Sequence, residues 1–292
     1  MASEETPFRR IVADFMSSPI AVFGLLLLGA ILIVAIAAPF ISPQNPYDLA
    51  QLDVMDGRLP PGAKTDVGTF WLGTDDQGRD MLSAIFYGLR ISLTVGVAST
   101  VVALALGLAL GLAAAYFGGR TETVIMRIAD IQLSFPTILI ALILLAVLGQ
   151  GMLKIIAALI TVQWAYYART VRSAALVEKR KEYIEAARCL ALPPSRIVFR
   201  HLLPNCLPPL IVVATVQVAA AIALEATLSF LGLGLPITEP SLGLLIANGY
   251  QYLLSGKYWI SFFPGVALLI TIVSINLVAD QLRDVLNPRL QR

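Results

Sequence analysis

The sequence predicts an all-α integral membrane protein with six transmembrane helices. Three observations support this: the composition, the number of long stretches without charge, and the distribution of basic residues along the chain. Hydrophobic residues make up 58% of the 292 residues and charged residues only 14%. Such a chain has more apolar surface than a water-soluble core can bury. We therefore expect most of it to lie in lipid.

Six stretches without Asp, Glu, Lys or Arg are the candidate spans. A transmembrane helix needs about 20 apolar residues, and five of the six stretches reach that length. The fourth has only fourteen residues, so its helix must continue past Lys154 and Arg169, whose long side chains can reach the headgroups. Five spans are the alternative. The stretches are residues 15–47, 91–119, 131–153, 155–168, 201–224 and 258–279.

The basic residues predict which side of the membrane each loop occupies. With six spans and an internal N-terminus, fifteen Lys and Arg lie in cytoplasmic segments and six in outer segments, which the positive-inside rule favours. A cleaved signal peptide is the competing interpretation of the first apolar run, but that run is long and has no small-residue cleavage pattern. The predicted segments are a cytoplasmic N-terminus (1–19), a first transmembrane helix (20–42), an extracytoplasmic segment (43–90), a core of five transmembrane helices (91–281) with a cytoplasmic loop (171–203), and a cytoplasmic tail (282–292).

The loop of residues 171–203 has the pattern of a helix pair. Apolar residues recur at helical spacing and charged residues fill the other positions, which predicts a short amphipathic helix. Leu192 precedes a proline and so stops this helix, and Pro193 and Pro194 can start a second helix that leads into the fifth span. A connection that only joins two spans is usually short. We therefore interpret the loop as a docking element for a soluble partner. Its apolar positions are Tyr183, Ile184, Ala187, Leu190 and Ala191.

Four sequence segments carry a family resemblance beyond this loop. Glu185-Ala186-Ala187, followed at an interval by Leu203-Pro204, resembles the EAA loop of permease subunits in bacterial ATP-binding-cassette importers. The segments below resemble the C-type permease of the dipeptide, oligopeptide and nickel importers in particular, and the resemblance covers most of the chain from Phe70 onward. They are "FWLGTDDQGRDMLSAIFYGLRISL" (70–93), "HLLPNCLPPLIV" (201–212), "EATLSFLGLGLP" (225–236) and "LVADQLRDVLNPR" (277–289).

The resemblance implies a function and a set of partners. The chain would be a multi-pass permease of the bacterial inner membrane, with both termini cytoplasmic, that pairs as a heterodimer with a homologous permease. Two ATPase subunits would bind ATP and Mg, an extracytoplasmic binding protein would deliver peptides or similar small solutes, and this chain would bind no cofactor itself. The residues that would couple to the ATPase are Tyr183, Glu185, Ala186, Ala187, Arg188, Ala191, Leu203 and Pro204.

Two positions depart from the general EAA pattern. Ala191 stands where the family has glycine, and His201 stands where it has isoleucine before Leu-Pro. Alanine gives up the easy turn that glycine allows, so the shape of the bend is open. A lone histidine has no evident ligand partners, and we predict an interfacial hydrogen-bonding residue and no metal site.

Polar residues outside the loop leave alternatives open. Asp75, Arg79 and Asp80 can contact the binding protein or partner permease, or they can form an Asp/Arg pair and capped turn that only folds the outer segment. Glu225 and Asn276 are embedded in apolar sequence and should face protein or water: Glu225 either lines the pathway or makes a structural hydrogen bond. Ala103, Gly107 and Gly111 have the spacing that lets another helix approach closely, from this subunit or its partner.

Other function classes fit less well. The chain has no G-x-x-x-x-G-K-[ST] stretch, so it is not expected to hydrolyse ATP. A net charge of +2 does not favour nucleic acid, and two cysteines do not form a disulfide framework. A stand-alone secondary transporter would need an internal repeat and buried acidic groups. An inert scaffold would leave the predicted helix pair unexplained, and a nickel or other small-solute importer is the alternative within the family.

Overall fold

The computed structural model describes residues 7–48, 52–65 and 68–286. The predicted terminal segments lie only partly in these ranges, because residues 1–6 and 287–292 fall outside them. The helices are α1 (Pro7–Met16), α2 (Pro19–Ile41), α3 (Met81–Phe117), α4 (Gly119–Leu133), α5 (Thr137–Leu148), α6 (Met152–Glu178), α7 (Glu182–Cys189), α8 (Pro194–Phe230), α9 (Leu242–Tyr250) and α10 (Trp259–Leu286).

Within the described residues, the helices run back and forth between the two ends of the bundle. We call them the loop end, which carries residues 171–203, and the strap end, which carries residues 42–80. Helix α2 runs from the loop end to the strap end, α3 returns, α4 and α5 run back together, and α6, α8 and α10 alternate in the same way. Hydrogen bonds show which helix ends lie together. At the loop end, Lys179 Nζ donates to Ala115 O. At the strap end, Arg79 Nη1 donates to Ile237 O and Gly151 N donates to Gly234 O.

Four of the described helices, α2, α3, α8 and α10, are long and apolar enough to cross a membrane, and α4 with α5 would make a fifth crossing as a bent pair. Helix α6 is not among them, although its 27 residues extend past Lys154 and Arg169 as the sequence predicted. Its charged residues, Lys154 and Arg169 among them, make it less apolar than the other long helices.

The third predicted span differs most from a straight helix. Helices α4 and α5 meet at an angle of 90° at residues 134–136. Pro136 has no amide proton, and it disfavours helical geometry at Phe135, so α4 ends at Leu133 and α5 starts after the break. With 12 residues, α5 rises about 18 Å. The stretch 131–153 therefore supplies the end of α4, all of α5 and the start of α6.

The strap end contains the small amount of β structure in the described residues. Strands β1 (Ala63–Thr65) and β2 (Gly68–Phe70) form an antiparallel hairpin within the predicted outer segment. Helix α3 begins at Met81, ten residues before the charge-free stretch, because Asp80 caps its first turn. Ser83 donates to Asp80 Oδ2 from its amide, at 2.8 Å, and from its hydroxyl, at 2.6 Å. The described part of the long outer segment is thus a folded strap.

Helix α6 is the helix that packs on the small residues of α3. A Cβ atom at Gly107 would lie 2.4 Å from Tyr167 Cβ, and one at Gly111 would lie 2.6 Å from the carbonyl oxygen of Ala168. Neither glycine has room for a side chain, so the close approach predicted from the spacing is made within this subunit.

Candidate functional site

Helix α7, which carries the predicted coupling residues, has one buried and one exposed face. Ile184 is fully buried and Ala187 is 5% exposed. Glu185, Ala186 and Arg188 are exposed. The buried side belongs to an apolar cluster that joins α3, α6 and α8, whose other members are Leu112, Ala115, Val171, Ala175, Ile197, Leu202, Cys206 and Leu210. The structure thus anchors α7 on the bundle and leaves charged groups available to a partner.

The apolar face that the sequence assigned to α7 needs correction in part. Leu190 was assigned to the apolar face, but it is 73% exposed because α7 ends at Cys189 and the chain turns away. Tyr183 and Ala191, which were assigned to the same face, are exposed as well. Ala187 faces the bundle, as its apolar position predicted, and its part in coupling stays a prediction. The surface that a partner can reach therefore includes Leu190 and five of the predicted coupling residues, Tyr183, Glu185, Ala186, Arg188 and Ala191.

The end of α7 depends on an unusual backbone conformation at Ala191. Its φ of 51° lies in the left-handed region, which L-residues other than glycine seldom adopt. The amide of Leu192 donates to the carbonyl of Ala187 at 3.2 Å, and that of Ala191 donates to Arg188 at 2.9 Å. These two bonds form a Schellman motif, in which glycine is the usual residue at this position. The departure from the family pattern changes the residue but keeps the bend.

Replacing Ala191 with glycine should stabilise the end of α7. Glycine removes the left-handed strain, and after its larger entropy in the unfolded chain we expect a net gain of about 0.5 kcal/mol. Slower amide hydrogen exchange in residues 182–192 would report this gain. The matched control is Ala186→Gly, which should speed exchange because glycine inside a helix costs about 1 kcal/mol. Faster exchange in the Ala191→Gly variant would contradict the strain argument.

Helix α8 begins where the sequence predicted. Pro193 is its N-cap residue and Pro194 occupies the first helical position, where no amide proton is needed. A π-helical stretch over Ile197–Leu202 follows. Pro204 cannot donate to the carbonyl of Arg200, so the helix is wider just before it. Leu203 is half-buried and Pro204 is exposed, close to α7, because Ile197 and Leu202 share the buried cluster.

Polar contacts fix the short turn between α6 and α7. Lys181 Nζ and the Tyr183 hydroxyl each donate to Glu178, both at 2.7 Å. Burial, and then the Glu178 carboxylate, raise the pKa of Tyr183 to about 12, so its hydroxyl stays a donor at physiological pH. These bonds place the predicted coupling residue Tyr183 against the end of α6.

Lys179 is a contact residue that the sequence interpretation missed. Its Nζ donates to the carbonyls of Ala115 and Tyr116, both at 2.8 Å, and lies 5.8 Å from the centroid of the Tyr116 ring. These carbonyls belong to the last turn of α3, where no amide of the same helix can reach them. The partners are 63 and 64 residues away in sequence, so no local pattern could have indicated the contact.

Two ion pairs join α4 to α6 near the same end of the bundle. Arg172 pairs with Glu122, and its Nε donates to Oε1 at 2.7 Å. Arg169 pairs with Asp130, and both side chains are half exposed. The exposed Arg169–Asp130 pair contributes little stability, whereas the Arg172–Glu122 pair is partly buried.

The predicted outer contact residues are buried. Asp75 and Arg79 are fully buried and Asp80 is 2% exposed. Arg79 Nε donates to Asp75 Oδ2 at 2.6 Å, and Arg79 Nη1 donates to the carbonyl of Ile237 at 3.1 Å. A direct contact of these side chains with a partner is therefore wrong, because they are buried within the strap. The alternative prediction, an Asp/Arg pair with a capped turn, is confirmed.

Breaking this pair from one side should destabilise the protein. Arg79→Met would leave the Asp75 carboxylate buried without its cation, which costs about 3–5 kcal/mol. Removing both charges in Asp75→Asn/Arg79→Met should cost less than Arg79→Met alone. Thermal unfolding of the purified protein measures the difference. A double variant no more stable than the single one would show that the charge pair is not the cause.

Glu225 lies in the bundle where hydrogen bonds satisfy it. It is fully buried, and its carboxylate accepts from Ser92 Oγ at 3.0 Å and from Ser229 Oγ at 2.7 Å. This geometry fits the structural alternative and ties α3 to α8. Asn276 is half-buried in α10. Among the described residues, no group of three or more His, Cys, Asp or Glu side chains could hold a metal ion.

Comparison with known protein families identifies the family of this chain. The model of the binding-protein-dependent transport system inner membrane component matches residues 103–292, and that of the N-terminal transmembrane domain of oligopeptide transport permease C matches residues 6–61. The chain belongs to the family of binding-protein-dependent transport system inner membrane components. The first match covers α4 to α10 and the loop of residues 171–203, and the second covers α2 with the start of the strap.

Individual relatives agree with the assignment. This permease is 40% identical to a putative peptide transport system permease protein of Brucella suis, over 92% of this chain and 87% of the relative. It is 37% identical to the oligopeptide transport system permease protein OppC of Bacillus subtilis, over 95% of this chain and 88% of that protein. A solved structure of the MetNI methionine ABC transporter in inward-facing conformations is similar with a TM-score of 0.57 and 25% identity, over 71% of this chain and 98% of that one.

Membership gives the general role of the chain. It is a multi-pass inner membrane permease of an ATP-binding-cassette importer, a class that works with ATPase and binding-protein partners. Its relatives are named as permease proteins. The exposed face of α7 belongs to the segment that resembles the EAA loop, and it is the site at which we expect coupling.

Proposed function

We propose that this permease forms half of a translocation pathway for dipeptides, oligopeptides or similar small solutes. The relatives named as dipeptide, di/tripeptide and oligopeptide permeases support the substrate class. The other half would come from a homologous permease, so that the complex is a heterodimer with two ATPase subunits. An extracytoplasmic binding protein would deliver the solute. ATP and Mg would bind to the ATPase subunits and not to this chain.

The proposed mechanism is alternating access driven through α7. The observation that supports it is the division of α7 into a buried face and an exposed charged face. To change a two-state transporter from 1:99 to 99:1 requires about 5.5 kcal/mol of differential binding energy, so the contact must be rigid. The buried face, the capped end at Ala191 and the bonds to Glu178 give α7 this rigidity. The predicted coupling residues Glu185, Ala186 and Arg188 would contact the ATPase.

The loop end is proposed to face the cytoplasm. The excess of Lys and Arg in the segments at that end supports this orientation, and both chain termini would lie on the same side. The strap would then face outward, where the binding protein docks. Surface labelling of cysteines introduced at Arg188 and at Arg58, both exposed, reports the orientation: only the second should react in intact cells. Labelling of position 188 from outside would reject the mechanism.

Reconstitution tests the function directly. The two permeases, both ATPase subunits and the binding protein are incorporated into liposomes, and uptake of a labelled dipeptide and a labelled pentapeptide is measured with and without ATP. We expect uptake that needs ATP, the binding protein and the ATPase subunits together. Uptake that persists without the ATPase subunits would favour a secondary transporter. Assembly without uptake of either peptide would reject the proposed substrates.

A further inference from the structure

We propose that Lys179 is a positioning residue that transmits the movement of the coupling loop, residues 171–203, to helix α3. The inference rests on the proposed function, because it concerns how an ATPase would drive this permease. It does not place Lys179 in contact with the ATPase or the solute. Its role would be to hold the turn between α6 and α7 against the end of α3.

The turn between α6 and α7 is the place where the loop could move independently of the bundle. Helix α6 ends at Glu178 and α7 begins at Glu182, so only Lys179, Arg180 and Lys181 connect them. The bonds to Glu178 tie this turn to α6, but they do not connect it to α3. Arg180 and Lys181 are exposed, whereas Lys179 is half-buried and points to α3. Among these three residues, Lys179 is the one bonded to another transmembrane helix.

The bonds of Lys179 suit this role. The ammonium group donates to the carbonyls of Ala115 and Tyr116 at the C-terminus of α3, where the helix dipole is negative and the carbonyls lack partners in the helix. A charged donor makes stronger hydrogen bonds than a neutral one. The Tyr116 ring adds a cation–π contact. Together they cap α3 with a residue of the turn.

Apolar packing alone would connect the coupling loop to α3 less firmly. Ile184 and Ala187 pack in the same apolar cluster as Leu112 and Ala115. Such contacts resist compression, but they are not directional and allow sliding. The hydrogen bonds of Lys179 are directional. A displacement of the loop away from α3, as well as one toward it, would therefore be transmitted to α3. Helix α3 has 37 residues, and its N-terminus at Met81 directly follows the strap, where Asp80 caps it. A movement of α3 would therefore extend across the membrane.

The test measures how many solute molecules are transported per ATP hydrolysed in the reconstituted complex. Lys179→Met keeps most of the apolar stem of the side chain but removes the charge, the donors and the cation–π contact with Tyr116. We expect transport per ATP to fall at least about fivefold, within the usual range of coupling energies, while ATP hydrolysis per assembled complex stays within about twofold. Lys179→Arg keeps the charge and the donors, so it should restore most of the coupling.

The matched control is Arg180→Met, which removes a neighbouring exposed charge and should leave the ratio unchanged. Unchanged transport per ATP in Lys179→Met would overturn the inference, and so would failure of that variant to assemble, since the role would then be structural. If the wild-type complex shows no ATP-driven uptake, the proposed function fails first. Normal coupling in the wild type and in Lys179→Met would reject this inference alone.

Discussion

Replacing Glu185 with lysine is expected to reduce ATP-driven uptake at least about tenfold without changing the amount of permease in the membrane. The side chain is exposed in the first turn of α7, on the face that the fold leaves free. Substitution therefore leaves the buried cluster intact. A charge reversal in a protein interface places like charges together, which costs several kcal/mol. The ATPase should then bind weakly or fail to move α7.

The measurement is uptake per assembled complex, together with co-purification of the ATPase subunits. Asp284→Lys is a suitable control, because it makes the same charge change at an exposed position of the loop end, at the end of α10. We expect this control to transport normally. Normal uptake by Glu185→Lys at normal expression would contradict the assignment of α7 as the docking helix.

The second large effect is expected at the contact between α3 and α6. Gly107→Leu should prevent normal packing of the bundle, because a Cβ atom at this position would already lie 2.7 Å from the carbonyl oxygen of Trp164. Backbone atoms of α6 cannot move away as a flexible side chain could. Overpacking of a tight core usually costs 1–3 kcal/mol, and a backbone clash should bring the cost to about 3 kcal/mol or more. Even Gly107→Ala should lower stability.

The yield and the thermal unfolding temperature of detergent-purified protein report this effect. Gly29→Leu is the matched control, because Gly29 lies inside a membrane-spanning helix, α2, and a Cβ atom there would have no neighbour within 4 Å. It should leave both quantities nearly unchanged. Equal loss in the two variants would show that leucine is generally harmful in these helices and that the α3–α6 contact is not special.

The candidate site could be predicted only in part. The start of α8 at Pro194 and the exposure of Glu185 and Arg188 follow from local chemistry, since prolines and charges act on their own neighbourhood. The exposure of Leu190 could not be predicted from helical spacing, because it depends on where α7 ends. That end is set by the turn at Ala191, whose left-handed conformation is stabilised by the hydrogen bonds of the Schellman motif.

The sequence by itself determined the membrane class, the family and the positions of most helices. These properties depend on composition, apolar run length and local start and stop signals, all of which lie close together along the chain. Only the tertiary structure decided that α6 occupies the groove at Gly107, that Arg79 is buried within the strap, and that Lys179 caps α3. Each of these contacts joins distant segments, and its energy depends on the shape of both surfaces at once.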